Sequence, residues 1–150
     1  MIRLPRFRPS RAPRAAVALA AAGLLAACEP GPPKPYELRQ WTEDMVFRIS
    51  SDPSPPRARE TIIYKVVVAD KETGQPIEGG EGRIFASSRD GAKTWYPLEP
   101  GPELGTYYGR LRYITAGDWA VAIEFRRDST KKLERMDWRQ DVAAERATNP

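Results

Sequence analysis

Between Glu60 and Ala69 the side chains alternate with a period of two: Ile62, Tyr64, Val66 and Val68 fall on one face, and Ile63, Lys65 and Val67 on the other. β-Branched residues crowd both faces. They favour an extended strand over a helix, because two substituents on Cβ restrict χ1 and pack well on a pleated surface. The stretch predicts a strand lying centrally in a sheet. Met45 to Ser50 alternates in the same way, with Met45, Phe47 and Ile49 opposed to Val46, Arg48 and Ser50, and the prolines from Pro53 to Pro56 end it. Thr73 and Gly74 predict a tight reversal between Asp70 and Pro76. Gly79, Gly80 and Gly82 then mark a bulge or a close backbone approach ahead of a strand over Arg83 to Ser87.

A turn at Arg89, Asp90 and Gly91 leads into a short edge strand, Thr94 to Leu98, limited by Pro97, and Glu99 to Pro102 closes it. From Gly105 to Arg127 the pattern predicts a hairpin at the centre of the core. In it Tyr107, Leu111 and Tyr113 face Trp119, Val121, Ile123 and Phe125, and Thr115 to Gly117 form the turn. Leu133 to Gln140 predicts a last strand with Met136 and Trp138 inward, with helix as the alternative because its helix propensity is also fair. Tyr36 to Asp44 carries no clear period, and 141–150 reads as a flexible tail. About seven short strands with frequent turns and no amphipathic helix predict an antiparallel, immunoglobulin-like β-sandwich over 43–140.

One stretch does not fit a sandwich. Ala15 to Ala27 is apolar throughout and follows Arg3, Arg6, Arg8, Arg11 and Arg14. It is shorter than the roughly 20 residues a bilayer span needs, and it reads as the apolar region of a cleaved secretory signal over 1–27. Leu25, Ala26, Ala27 and Cys28 resemble the bacterial lipobox. That resemblance implies acylation of Cys28 by palmitate-type chains and a membrane anchor built from more than one chain, which holds far better than one. The basic leader lacks an adjacent arginine pair, which points to general secretion. Prolines 30, 32, 33 and 35 predict a semi-rigid tether within 28–42. Glu29 stands where an Asp favours inner-membrane retention in enteric bacteria, which tips the expected location toward an outer membrane. The expected place is thus the cell envelope, facing the periplasm or the exterior.

Charge changes meaning once the leader is set aside. The whole chain has 24 Lys and Arg against 20 Asp and Glu, a net charge of +4. Five of the arginines and none of the acids lie in 1–27, so the chain from Cys28 onward holds 19 against 20. No basic stripe interleaved with aromatics is left to follow a phosphate backbone, and nucleic-acid binding is not expected. With its one cysteine assigned to the lipid, the domain is expected to hold together by packing alone.

The order of three motifs resembles the FixH and YtkA-like group of small exported immunoglobulin-like domains. They are Gly74, Gln75, Pro76 and Ile77 with Gly79 and Gly80; Gly105, Thr106 and Tyr107; and Gly117, Asp118 and Trp119. The resemblance implies a sandwich fold and a role beside membrane oxidase assembly or copper handling. Copper would need thiolate, thioether or imidazole donors. The chain has no histidine, and Met45 and Met136 both fall at core-facing positions, so no metal site and no cofactor is expected.

The same inventory excludes Ser-His and Cys-His catalysis. Ser87 and Ser88 stand outside any nucleophile elbow, and the glycines near Gly79 lack the lysine of a phosphate loop. Asp70 with Glu72, and Asp118 with Glu124, sit at or near turns, where aspartate commonly bonds local backbone. No catalytic residue is therefore assigned. Exposed aromatics carry the remaining functional content. Trp95, Tyr96 and Tyr108, with Trp41, are candidates for a binding surface, either for a protein partner in the envelope or for sugar rings of a carbohydrate or cell-wall ligand.

Overall fold

The structure, a computed structural model, describes residues 36–147. The proposed leader, Cys28 and the proline-rich segment through Pro35 lie outside the described residues. Nine strands follow one another: β1 (Glu37–Trp41), β2 (Met45–Asp52), β3 (Thr61–Asp70), β4 (Glu81–Ser88), β5 (Lys93–Pro97), β6 (Glu99–Pro100), β7 (Thr106–Arg112), β8 (Gly117–Arg126) and β9 (Glu134–Val142). They form an antiparallel five-stranded sheet, β1-β2-β3-β7-β6, facing a four-stranded sheet, β5-β4-β8-β9. Taken without β1, the two orders are those of an immunoglobulin-like sandwich with its extra strand on the second sheet.

The alternation in β3 is realised as read. Ile62, Tyr64, Val66 and Val68 are buried, and β3 is central, with β2 on one side and β7 on the other. Leu38 on β1 packs against the core, so the sheet begins at Glu37, inside the stretch 28–42 expected to be tether. At the other end β9 runs to Val142, which is buried, and Ala143 bridges to Arg57. The tail expected from 141 therefore begins later. Both corrections share one cause. Edge strands with one wet face carry charged residues at alternate positions, and their apolar signal is diluted.

The expected hairpin over Gly105 to Arg127 is also corrected. β7 pairs with β3 and β6, whereas β8 pairs with β4 and β9. The chain from Tyr113 to Ala116 thus crosses from one sheet to the other. Tyr107, Leu111 and Tyr113 still meet Trp119, Val121, Ile123 and Phe125 in the core, but across the sandwich rather than along a ladder. Period-two patterning fixes which side chains point inward and leaves open which strand is the neighbour.

Large rings fill the space between the sheets. Phe125 makes edge contacts with Phe47 and Tyr107 at centroid distances of 5.6 and 5.0 Å, and Tyr113 does so with Trp119 at 5.1 Å. Each polar tip finds a partner, as burial requires. The Tyr107 hydroxyl donates to the Ile77 carbonyl at 2.8 Å and accepts from the Gly80 N–H at 2.9 Å. The Tyr64 and Tyr113 hydroxyls bond each other at 2.6 Å. A Cβ on Gly80 would collide with the Phe125 ring, which is the close approach the glycine run had suggested.

Candidate functional site

In β4 the inward positions are Ile84 and Ala86, which leaves Arg83, Phe85 and Ser87 on the outer face. The ladders set Phe85 opposite Trp95 on β5 and opposite Ala122 on β8, and set Arg83 opposite Glu124. On β9, Asp137 lies beside Ala122 and Arg135 beside Glu124. One row across the sheet therefore reads Trp95, Phe85, Ala122, Asp137. Trp95 stands 65% exposed at the end of that row. The guanidinium groups of Arg83 and Arg135 lie 5.5 and 4.9 Å from the Phe85 ring centroid, where the ring quadrupole attracts them.

Most charges around this row are already paired. Glu124 lies 2.8 Å from Arg83 and 3.8 Å from Arg135, while Arg135 also bonds Asp137 at 2.7 Å. That contact holds the Asp137 carboxyl below its usual range and raises the Arg135 guanidinium. Arg126 pairs with Glu81 and Arg139 with Asp118. The result is a sheet face with an aromatic centre and a rim of locally compensated charge.

The three aromatics singled out from the sequence do not converge. Trp95 and Tyr96 are neighbours on one strand and point to opposite faces. Tyr96 packs on the core, its hydroxyl donating to Glu99 at 3.2 Å and its ring under Arg110. Tyr108 lies beside Lys65 and Glu99 on the outer face of the other sheet. Trp41, 58% exposed, is at the end of β1. The sequence reading missed Phe85 as Trp95's neighbour. Its signal was the phase of Arg83 to Ser87, in which Ile84 and Ala86 claim the core and push Phe85 outward.

A cleft of about 530 Å³ opens between the β1–β2 and β8–β9 connections, lined by Trp41, Asp44, Arg127, Leu133 and Glu134 among others. Arg127, one of the lining residues, reaches Asp44 at 3.2 Å and Asp70 at 2.6 Å. Asp70 also accepts from the Thr73 N–H at 2.7 Å and its hydroxyl at 3.0 Å, and from the Glu72 N–H. These bonds hold its carboxyl far below the usual carboxylate range. Asp70 is thus a turn-holding residue. Burial pushes the Glu134 carboxyl up, and nearby Asp44 adds to the effect. Met45 and Met136 are both buried in the core. Among the described residues, no three or more His, Cys, Asp or Glu gather as a metal-binding group.

Fold and face together define the class: an immunoglobulin-like sandwich presenting an aromatic-centred sheet surface. No protein-family model matches the chain, and neither does any curated protein sequence. Solved structures do. A DUF4426 family protein from Pseudomonas aeruginosa aligns with TM-score 0.57 and 13% identity, over 73% of this chain and 97% of that one. FetP of a uropathogenic E. coli strain, expressed in the periplasm, aligns with TM-score 0.54 and 14% identity, over 73% and 97%. A copper-bound variant of FetP gives 0.51 and 11%, over 77% and 95%. At these identities the likeness shows the all-β sandwich fold alone.

Proposed function

We propose that the chain is a lipid-anchored, noncatalytic binding module of the bacterial cell envelope, accessory to a membrane complex, that holds a protein partner on the outer face of its four-stranded sheet. The observation that carries this reading is Trp95, exposed on the strand beside Phe85, whose ring both Arg83 and Arg135 approach. Protein interfaces are anchored by such aromatics inside a polar rim, and a rim whose charges are already paired loses little on docking. The lipobox-like Leu25 to Cys28 supports the anchor. The motif resemblance to the FixH and YtkA-like group supports the accessory role.

A stacking platform for sugars loses its basis, because Trp95, Tyr96 and Tyr108 occupy different surfaces. Copper binding belongs to the FetP variant; a soft-donor site in this domain would have to draw Met45 or Met136 out of the core.

Crosslinking and pull-down from native membranes tests the proposal, with Cys28 intact, with Cys28→Ala and with Trp95→Ser. A partner retained without the anchor and lost with Trp95→Ser is the expected result. A partner that survives Trp95→Ser would move the binding surface elsewhere, and absence of acyl label on the wild type would remove the anchor.

A further inference from the structure

β9 ends the four-stranded sheet, and among the described residues no strand pairs with its free edge. Unpaired edges invite association, and natural sheets blunt them with prolines, by keeping them short, or with charged side chains that admit few partners. The other edges use the first two devices, since β1 has five residues, β6 two including Pro100, and β5 ends on Pro97, whereas β9 relies on charge alone. β9 has nine residues and contains neither proline nor glycine.

Its solvent-facing side chains are Arg135, Asp137, Arg139 and Asp141, all exposed, in strict alternation of sign. Alternation of this kind selects a register. Parallel, in-register pairing of two β9 strands would put Arg against Arg and Asp against Asp. Antiparallel pairing centred on Asp137 or Arg139 would do the same. Centred on Trp138, however, two-fold pairing sets Arg135 against the second copy's Asp141 and Asp137 against its Arg139, and the symmetry repeats both pairs. Every charge on that face then meets its opposite, and like charges directly across a ladder, which disfavour pairing, are avoided.

We infer that the free edge of β9 is a homodimerisation edge, on which a second copy of this chain pairs antiparallel about Trp138 to make one continuous eight-stranded sheet. A two-fold axis needs a self-complementary patch, and this strand is self-complementary in one register. The present partners do not stand in the way. Arg135–Asp137 and Arg139–Asp118 are contacts between exposed side chains, which cost little to exchange, and Arg135 also trades its longer 3.8 Å pair with Glu124 and its place over the Phe85 ring. Ala143, one residue past the ladder, is held by Pro56 and Ala58, which ends the pairing near Asp141. The β9 edge adjoins the binding face and shares Arg135 and Asp137 with it, but the pairing uses the backbone edge of the sheet and leaves Trp95 on the far strand β5 uncovered.

Charge exchange tests it. Two differently tagged copies of the full chain are co-expressed, solubilised from membranes in detergent and purified through one tag. The wild-type copies should co-purify. Asp137→Arg alone, or Arg139→Asp alone, should reduce recovery of the second tag at least about tenfold, because each sets like charges opposite. The double exchange, Asp137→Arg with Arg139→Asp, restores opposite signs in every pair and should restore recovery. Circular dichroism melts check that each variant is folded. A second measurement needs no charge change to succeed: one copy carrying Asp137→Cys and another carrying Arg139→Cys should form a mixed disulfide, as directly opposed residues lie about 4.5–5.5 Å apart. Copies carrying Asp137→Cys alone should not form it. Wild-type copies that fail to associate, folded single exchanges that still do, or a double exchange without recovery would each overturn the inference.

Discussion

At the scale of single residues, the buried hydroxyl pair of Tyr64 and Tyr113 gives the sharpest energetic expectation. Burial pushes the Tyr64 phenol up to about 12 and raises Tyr113 as well, so both remain neutral, one donating to the other. Tyr64→Phe strands the Tyr113 hydroxyl and should cost about 1–3 kcal/mol in a denaturant titration. The double variant to Phe should cost clearly less than the sum of the two single ones, since the second change removes the stranded group. Two acids set opposite pH dependences. Asp70 is held below its ordinary value near 3.8, so its stabilisation is complete above that value and is lost as pH falls toward the folded-state value. Glu134 is raised above its ordinary 4.5, so the fold favours its neutral form and loses stability as pH rises through 4.5 and beyond. Melting curves should therefore show Glu134→Gln stabilising near neutral pH, with the gain vanishing below about pH 4. Asp70→Asn should destabilise near neutral pH, with the loss shrinking in acid. A Glu134→Gln gain that persisted unchanged into acid would mean that packing, not charge, sets the effect.

At the scale of elements, the sequence made most strands legible and left their neighbours obscure. β3 was readable because Ile62, Tyr64, Val66 and Val68 leave little doubt about its buried face. β1 was not, because Glu37, Arg39 and Trp41 point outward from an edge and only Leu38 packs on the core. The partners of β7 and β8 were misread for a different reason. A short turn between two alternating strands suits a hairpin and also suits a crossing between facing sheets, and only the long-range ladders β3–β7 and β4–β8 decide. The site suffered likewise. Trp95 was visible as an exposed aromatic, but its link to Phe85 depends on the β4–β5 register, and whether Tyr96 and Tyr108 share its surface is decided only by the face Tyr96 takes and the sheet that holds Tyr108. Gly80 was legible as a close approach without its partner. With Phe125 now named, Gly80→Ala should destabilise by about 1–3 kcal/mol through overpacking, measured by urea unfolding. The exposed Gly74, with open space around it, offers a contrast in which any loss comes from its positive φ and not from a clash.

At the scale of the whole molecule, residues 1–27 hold five arginines and no acid, which accounts for the net charge of +4, and the rest of the chain is near neutral with the surface charges of its sandwich largely paired. A protein of this kind has little long-range field to steer a partner, so recognition rests on contact. Two adjoining surfaces carry the proposals: the row that begins at Trp95 for a protein partner, and the β9 edge, where that row ends at Asp137, for a second copy. The most direct test of the binding face places a photo-crosslinking amino acid at single positions of the full chain in native membranes. Crosslinks to one discrete partner from position 95, and from position 83 in the neighbouring row, with none from position 108 on the opposite sheet, are the predicted result. The same partner captured from position 108 and not from position 95 would contradict it.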